Sequence, residues 1–149
     1  PQELDLIEFC KKLVNEFNSM QIDGRILEFQ LFGEPYNAIL DYNILAHALS
    51  NLISNAFKYS LGNKNPQLML NFKPKKLIVS IKDYGIGIPE AEVSNLFQPF
   101  FRAKNAMQIK GTGLGLIIAK EYVGINKGQI SFKSTLGEGS CFEITFSAN

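Results

Sequence analysis

The run Asp83, Tyr84, Gly85, Ile86, Gly87, Ile88, Pro89 sets one carboxylate ahead of two glycines at alternate positions. An ionised carboxylate is acceptor-only, so it suits an exocyclic amine of the kind adenine carries. Glycine admits positive φ and lets backbone approach a ligand, and Pro89 suits the first position of a short helix begun by Glu90, Ala91 and Glu92. The same run would also make an ordinary turn after a strand. A second set lies upstream. At ~100° per residue, His47, Asn51, Asn55 and Lys58 fall within roughly 80° of one another on one side of a helix, with Leu45, Leu49, Leu52 and Ala56 on the other side. Asparagine is a mediocre helix former, so two of them one turn apart and in line with a lysine need a reason beyond propensity. A solvated polar stripe is one reading. A site is the other: an amide oxygen partners Mg²⁺, which takes few protein ligands, and Lys58 brings a point charge to phosphate. The third set is Gly111, Thr112, Gly113, Leu114, Gly115, Leu116, followed at once by an apolar helical pattern through Val123. Free N–H groups at a helix start suit an anion. The spacing is neither a dinucleotide fingerprint nor a Walker loop, and a hinge is compatible with it.

These residues need elements to hold them. Leu77 to Lys82 alternates as a mostly buried strand that delivers Asp83, paired through a turn at Lys73 to Lys76 with a strand over Gln67 to Phe72. An amphipathic helix is expected over Glu3 to Met20, a strand over Arg25 to Phe32, and a further strand within Tyr36 to Leu40. Asp41 is placed to cap the helix Tyr42 to Tyr59. Leu96, Phe97, Gln98, Pro99, Phe100, Phe101, Arg102 is an aromatic segment broken by proline, which could simply plug a loop into the core. Arg102 to Gly111 is polar, basic and aperiodic and reads as a loop. Gly128 to Thr135 and Cys141 to Ser147 form a hairpin connected through Gly137, Glu138 and Gly139.

The chain has 149 residues, read as one domain over 1–149, and a formal net charge of +1. Mixed charge offers no field for nucleic acid. No stretch reaches the ~18 apolar residues of a membrane span, so no direct membrane contact is expected from this segment. Cys10 and Cys141 read as reduced core residues of a cytoplasmic protein, with chance pairing left open. The start on Pro1 rather than Met is expected for a piece of a larger parent, which could itself be membrane-anchored.

In this order the pieces resemble the ATP-binding catalytic domain of sensor histidine kinases, in the superfamily that includes gyrase and MutL ATPases. Asn51 to Tyr59 is similar to the N box, Asp83 to Pro89 to the first glycine box, Phe97 to Arg102 to the F box, Gly111 to Leu116 to the second glycine box and Gly137 to Ser140 to a third. The resemblance covers nearly the whole chain, and it implies an α/β two-layer sandwich of the Bergerat type: a mixed, mainly antiparallel sheet of about five strands on about three helices. It further implies ATP and Mg²⁺ as cofactors. Asn55 would meet the metal with Asn51 beside it, Lys58 and Tyr59 would lie on the phosphate side, and Asp83 would hold the adenine amine near Gly85, Gly87 and Ile88. Arg102 would reach the phosphates from a lid, Phe97 would couple that lid to the core, and Gly111, Thr112, Gly113, Leu114, Gly115 and Leu116 would bring backbone to the triphosphate. Ser140 would lie near Asp83 beneath the base.

The implied activity is transfer of the γ-phosphoryl group to a histidine on a separate dimerisation domain of the same kinase, with a response regulator receiver domain downstream and the isolated domain a monomer. The ATP-hydrolysing relatives carry a Glu where this chain has Asn51, and an amide cannot act as general base at neutral pH, so hydrolysis should be poor. His47 reads as a structural histidine rather than the acceptor. Two alternatives are a serine kinase of the same superfamily, against which the F box and Asn51 argue, and a module that binds nucleotide only to dock a partner, against which the intact boxes argue. The family often has another glycine near Lys127 and Gly128, which this chain lacks.

Overall fold

The computed structural model describes residues 1–20, 24–59, 64–86, 115–135 and 137–147. Side-chain alternation builds the main sheet. In β4 (Gln67–Phe72) Leu68, Leu70 and Phe72 are buried, in β5 (Lys76–Lys82) Leu77, Val79 and Ile81, and in β7 (Gly139–Ser147) Phe142, Ile144 and Phe146. The register keeps these sets together: Leu77 opposes Phe146, Val79 opposes Ile144 and Ile81 opposes Phe142. A slip of one residue would turn all of them away from the core. β2 (Glu28–Gly33) and β6 (Gln129–Thr135) form the edges, giving the order β2-β4-β5-β7-β6. β2 runs parallel to β4 and the other pairs are antiparallel. The parallel pair follows from its connection, which crosses over through a helix instead of a hairpin.

Three helices are present among the described residues: α1 (Leu6–Met20), α2 (Tyr42–Tyr59) and α3 (Gly115–Ile125). Leu6, Phe9, Leu13 and Val14 of α1, Leu45, Leu49, Leu52 and Ile53 of α2, and Ala119 and Val123 of α3 join one core with the buried strand residues. Full burial of each large aliphatic side chain contributes about 1.5–3 kcal/mol. The layered α/β architecture is the one expected from the sequence.

Several boundaries differ from the expectation. The first helix does not begin at Glu3, because β1 (Gln2–Leu4) pairs antiparallel with β3 (Ala38–Leu40) and buries Leu4. Asp5 Oδ1 then accepts the N–H groups of Ile7 at 3.1 Å and Glu8 at 3.2 Å, an N-cap that sets the start of α1 at Leu6. The strand expected from Arg25 begins only at Glu28. Arg25 instead donates from its guanidinium to the Phe57 carbonyl oxygen at 3.0 Å and lies over the Phe57 ring at 5.2 Å, satisfying a carbonyl in the last turn of α2. Asp41 caps α2 through Oδ1, which accepts Ile44 N–H at 3.0 Å. Of the two free cysteines, Cys10 is buried in the core and its thiol is pushed up to about 12 by burial, whereas Cys141 is only half-buried and is not a core residue. Its odd place in β7 puts it on the sheet face opposite Phe142 and Ile144.

Candidate functional site

α2 and α3 run antiparallel, and contacts along them set their register. At one end Asn126 Oδ1 accepts the backbone N–H of Asp41 at 2.8 Å. Midway, the His47 ring meets Tyr122 edge-on with centroids 5.8 Å apart. Gly115 opens α3 seven residues before Tyr122, about 10 Å along the axis at 1.5 Å per residue, so it faces the part of α2 about seven residues beyond His47. That part lies between Asn51 and Lys58. The helix start, whose first N–H groups have no partner within the helix, is thereby brought level with the polar stripe of α2. Asn51, Asn55 and Lys58 are half-buried, and no other described residue takes a hydrogen bond from, or gives one to, either amide. His47 is exposed and spent on Tyr122.

Asp83 continues the alternation of β5 past its last ladder pair. Its N–H donates to the Ser140 carbonyl oxygen at 2.8 Å and its carbonyl oxygen accepts Ser140 N–H at 3.3 Å, so Asp83 and Ser140 oppose each other as Ile81 and Phe142 do. Asp83 therefore shares the helix-facing side of the sheet with Ile81. It is 7% exposed, the one buried charged residue among those described. Oδ1 accepts the N–H of Gly85 at 3.0 Å and of Ser140 at 3.2 Å. Among the described residues no donor reaches Oδ2. Burial raises the carboxyl pKa to about 6, and the two backbone N–H groups, of Gly85 and then Ser140, pull in the opposite direction without cancelling it.

The connection between β6 and β7 braces this acid. Gly137 N–H donates to the Ile86 carbonyl oxygen at 2.8 Å. Gly139 has φ +125°, and a Cβ there would collide with the backbone oxygen of Asp83. Ser134 of β6 opposes Ser140 of β7, and their hydroxyls lie 2.9 Å apart. A cleft of about 370 Å³ at this end of the sheet is lined by Asp83, Ser134, Gly139 and Ser140 together with Lys82 and Lys133. Gly139 and Ser134 were not singled out among the expected site residues. The signal for Ser134 was available in the alternation of β6, since Phe132 and Ser134 share one face, but only knowledge of its partner strand makes that face meaningful.

Of the expected site residues, the structure thus places Asn51, Asn55 and Lys58 on one stripe of α2, ends that helix at Tyr59, sets Asp83, Gly85 and Ser140 together, and starts α3 at Gly115 and Leu116. Gly87, Ile88, Phe97, Arg102, Gly111, Thr112, Gly113 and Leu114 lie outside the described residues, as do the expected lid and the short helix after Pro89.

A mixed sheet with a buried strand-end carboxylate facing a polar helix defines a nucleotide-binding α/β sandwich, and comparison with known proteins gives its family. Residues 40–149 match the family described as histidine kinase-, DNA gyrase B-, and HSP90-like ATPase, and the chain belongs to it. It is 33% identical over 151 residues to sensor protein kinase PilS of Pseudomonas aeruginosa, covering 98% of this chain and 28% of that protein. It is likewise 33% identical to sensor protein kinase WalK of Staphylococcus haemolyticus, over 95% of this chain and 24% of that protein. The chain therefore spans about a quarter of the length of these relatives. The nucleotide-free catalytic domain of histidine kinase ThkA superposes with a TM-score of 0.81 at 25% identity, covering 99% of this chain and 97% of that one.

Proposed function

We propose that residues 1–149 form a single ATP-binding catalytic domain that holds MgATP and donates its γ-phosphoryl group to a histidine on a separate dimerisation domain of the same kinase, from which a response regulator receiver domain is then phosphorylated. The observation that carries this reading is Asp83: a buried carboxylate with one oxygen held by two backbone N–H groups and the other met by no donor among the described residues. Asp83 Oδ2 accepts from the adenine amine, and Gly85, Gly87 and Ile88 border the base. On this reading Lys58 and Tyr59 would meet the phosphates, Arg102 and the N–H groups of Gly111 to Leu116 would serve the same end of the nucleotide, and Phe97 would have the coupling role.

The donor set fits Mg²⁺. No group of three or more His, Cys, Asp or Glu that could cage a metal exists among the described residues, and α2 offers half-buried neutral amides instead. One amide oxygen, from Asn55 with Asn51 beside it, suits a cation that fills its octahedron with water and phosphate oxygens. When bound, the ion would neutralise phosphate charge. The protein's own part is to hold the base and the phosphates in line for an incoming imidazole, and phosphoryl transfer is mostly such positioning. Asn51 supplies no general base, which disfavours water as the acceptor. No described helix is long and apolar enough to cross a membrane. The domain would work on the cytoplasmic side, where ATP is, whether or not its parent is anchored.

Calorimetry with MgADP tests the reading. Binding in the micromolar range is expected, lost on Asp83→Ala with the fold retained. Mixed with a histidine-bearing helical domain of a cognate kinase and labelled ATP, the chain should produce acid-labile phosphohistidine on that domain and none on itself. A folded chain that ignores adenine nucleotides would overturn the proposal.

A further inference from the structure

Of the large apolar side chains exposed among the described residues, Ile26, Leu31 and Phe32 fall in or just before β2, an edge strand of the main sheet. The ladder fixes which way its backbone points. Glu28 N–H donates to the Pro66 carbonyl oxygen at 2.9 Å in a parallel pair, so Glu28, Gln30 and Phe32 turn their N–H and C=O groups inward to β4. Phe29, Leu31 and Gly33 turn theirs outward. Leu27, one step earlier on the outer side, already gives its N–H to Asn18 Oδ1 at 2.7 Å, whereas no described residue meets the outward groups of the other three. Edge strands of soluble proteins are usually blunted by lysine, proline or a bulge. The opposite edge, β6, has Lys133, but β2 keeps unbroken register with β4 and contains neither lysine nor proline.

Such an edge takes another extended strand. We propose that it takes β2 of a second copy of this chain, antiparallel about a two-fold axis through the two Leu31 residues, so that the two main sheets become one. An axis normal to the sheet keeps the helices of both copies on one side, and it allows only pairings between residues that share a face. The possible registers differ in what they leave unpaired. Centred on Gln30, the pairing sets Gly33 against Leu27, whose N–H is spent on Asn18. Centred on Phe32, it sets Phe29 against Pro35, which has no N–H. Centred on Leu31, it sets Leu31 against Leu31 and Phe29 against Gly33, so the outward groups of β2 meet one another and the Phe29 ring lies across from a residue without a side chain. Leu31, 42% exposed, shares the face of buried Leu70, and its pairing carries the apolar helix-facing layer across the junction. Charge does not oppose the contact: each copy has a net charge of +1, and Glu28 is engaged by the Asn65 and Gln67 amides of its own chain at 3.4 Å. The contact is small, six residues of strand against the about 20–30 a side of a stable interface, so the dimer is weak and the chain is a monomer at micromolar concentration. This inference is independent of the nucleotide reading, since β4 separates β2 from the strand that delivers Asp83.

Sedimentation velocity on the whole chain, from about 10 μM to about 1 mM, tests the proposal. Wild type should move from the monomer mass of 16.7 kDa toward twice that value as concentration rises. Leu31→Lys sets two like charges face to face on the axis, and Leu31→Pro removes an outward N–H that β4 does not use. Each should weaken association about tenfold or more with the fold retained, and should one of them not fold the other is read alone. The register has its own test. In a Cys141→Ser background treated with oxidised glutathione, Leu31→Cys should give a disulfide-linked dimer, because the Cα atoms of a hydrogen-bonded pair stand about 5.5 Å apart, inside the disulfide range. Gln30→Cys, which lies on the axis only in the shifted register, should link more slowly. A chain that stays monomeric at about 1 mM overturns the proposal and leaves the edge to a strand of another protein. Association untouched by both Leu31 variants overturns it as well, and so does faster linkage through Gln30→Cys than through Leu31→Cys.

Discussion

Asn126 and Asp41 are 85 residues apart in the chain, and the side chain of the first receives the backbone N–H of the second at 2.8 Å while its own Nδ2 lies 3.5 Å from the Asp41 carbonyl oxygen. The residue that caps α2 is thereby tied to the residue that follows α3. This bond fixes how far the two antiparallel helices slide past each other, and so which part of α2 the start of α3 faces. Asn126→Ala leaves a half-buried N–H without its acceptor and is expected to cost about 1–2 kcal/mol. Because the site depends on the same alignment, MgADP affinity should fall as well. Thermal melting and calorimetry on one variant check both, and an affinity unchanged at lowered stability would show that the tie serves stability only.

Gly139 is the position least open to a side chain. Its φ of +125° is unfavourable for any L-residue and a Cβ would meet the Asp83 backbone oxygen. Backbone, unlike a flexible side-chain tip, yields only by moving the Asp83 strand end. Gly139→Ala should destabilise by about 2–4 kcal/mol, at the upper end of single-site effects. In whatever fraction remains folded, MgADP binding should be weaker than wild type; chemical denaturation and calorimetry give the two numbers.

The Asp83 carboxyl carries a pH signature. Its folded pKa of about 6 is raised above the ordinary 3.8 of an aspartate by burial, so between these values the folded state holds the proton more tightly than the unfolded state. From this group, stability is greatest at the acid end, falls as pH rises from about 4 to about 6 and is level above that. Binding follows the opposite sign, because the ionised form is the better acceptor for an amine. Adenosine, which has no phosphate to titrate, should bind more tightly as pH rises through about 6. Asp83→Asn should flatten both profiles, and a binding curve that keeps its slope in that variant would assign it to another group.

Lys127 lies in the turn after α3, and it sits at φ 59°. The left-handed conformation costs a residue with a Cβ about 1–2 kcal/mol. Glycine avoids that strain but adds freedom to the unfolded chain, so Lys127→Gly should stabilise by a net ~0.5–1 kcal/mol. A rise of a few degrees in melting temperature with unchanged nucleotide affinity is expected; a fall would mean that the lysine makes up for its conformation elsewhere.

What the sequence by itself determined about this protein is everything with a short period. Leu77, Val79 and Ile81 alternate and can be nothing but one face of a strand, and Asn51 and Asn55 recur one helical turn apart with Lys58 in line. Asp41 caps the helix it precedes, and the glycine runs mark where backbone must come close. Its ordered boxes also identified the family. The same short-range logic failed at Glu3 and Arg25, where a partner strand and a helix terminus, both far away in the chain, outweighed local propensity.

Only the tertiary structure decided how the parts meet. Asp83 is a strand-end carboxylate in the sequence; its fixed Oδ1 comes in part from Ser140, 57 residues further on, and its burial and raised pKa come from the core around it. The Ser134 and Ser140 pair exists because β6 and β7 adopt one register, and the meeting of α3 with the amides of α2 exists because Asn126 reaches Asp41. The physical reason is common to all three. Periodicity and capping are settled by neighbours within a turn or a strand pair, whereas desolvation, hydrogen-bond direction and the juxtaposition of elements depend on whichever distant segment excludes the water.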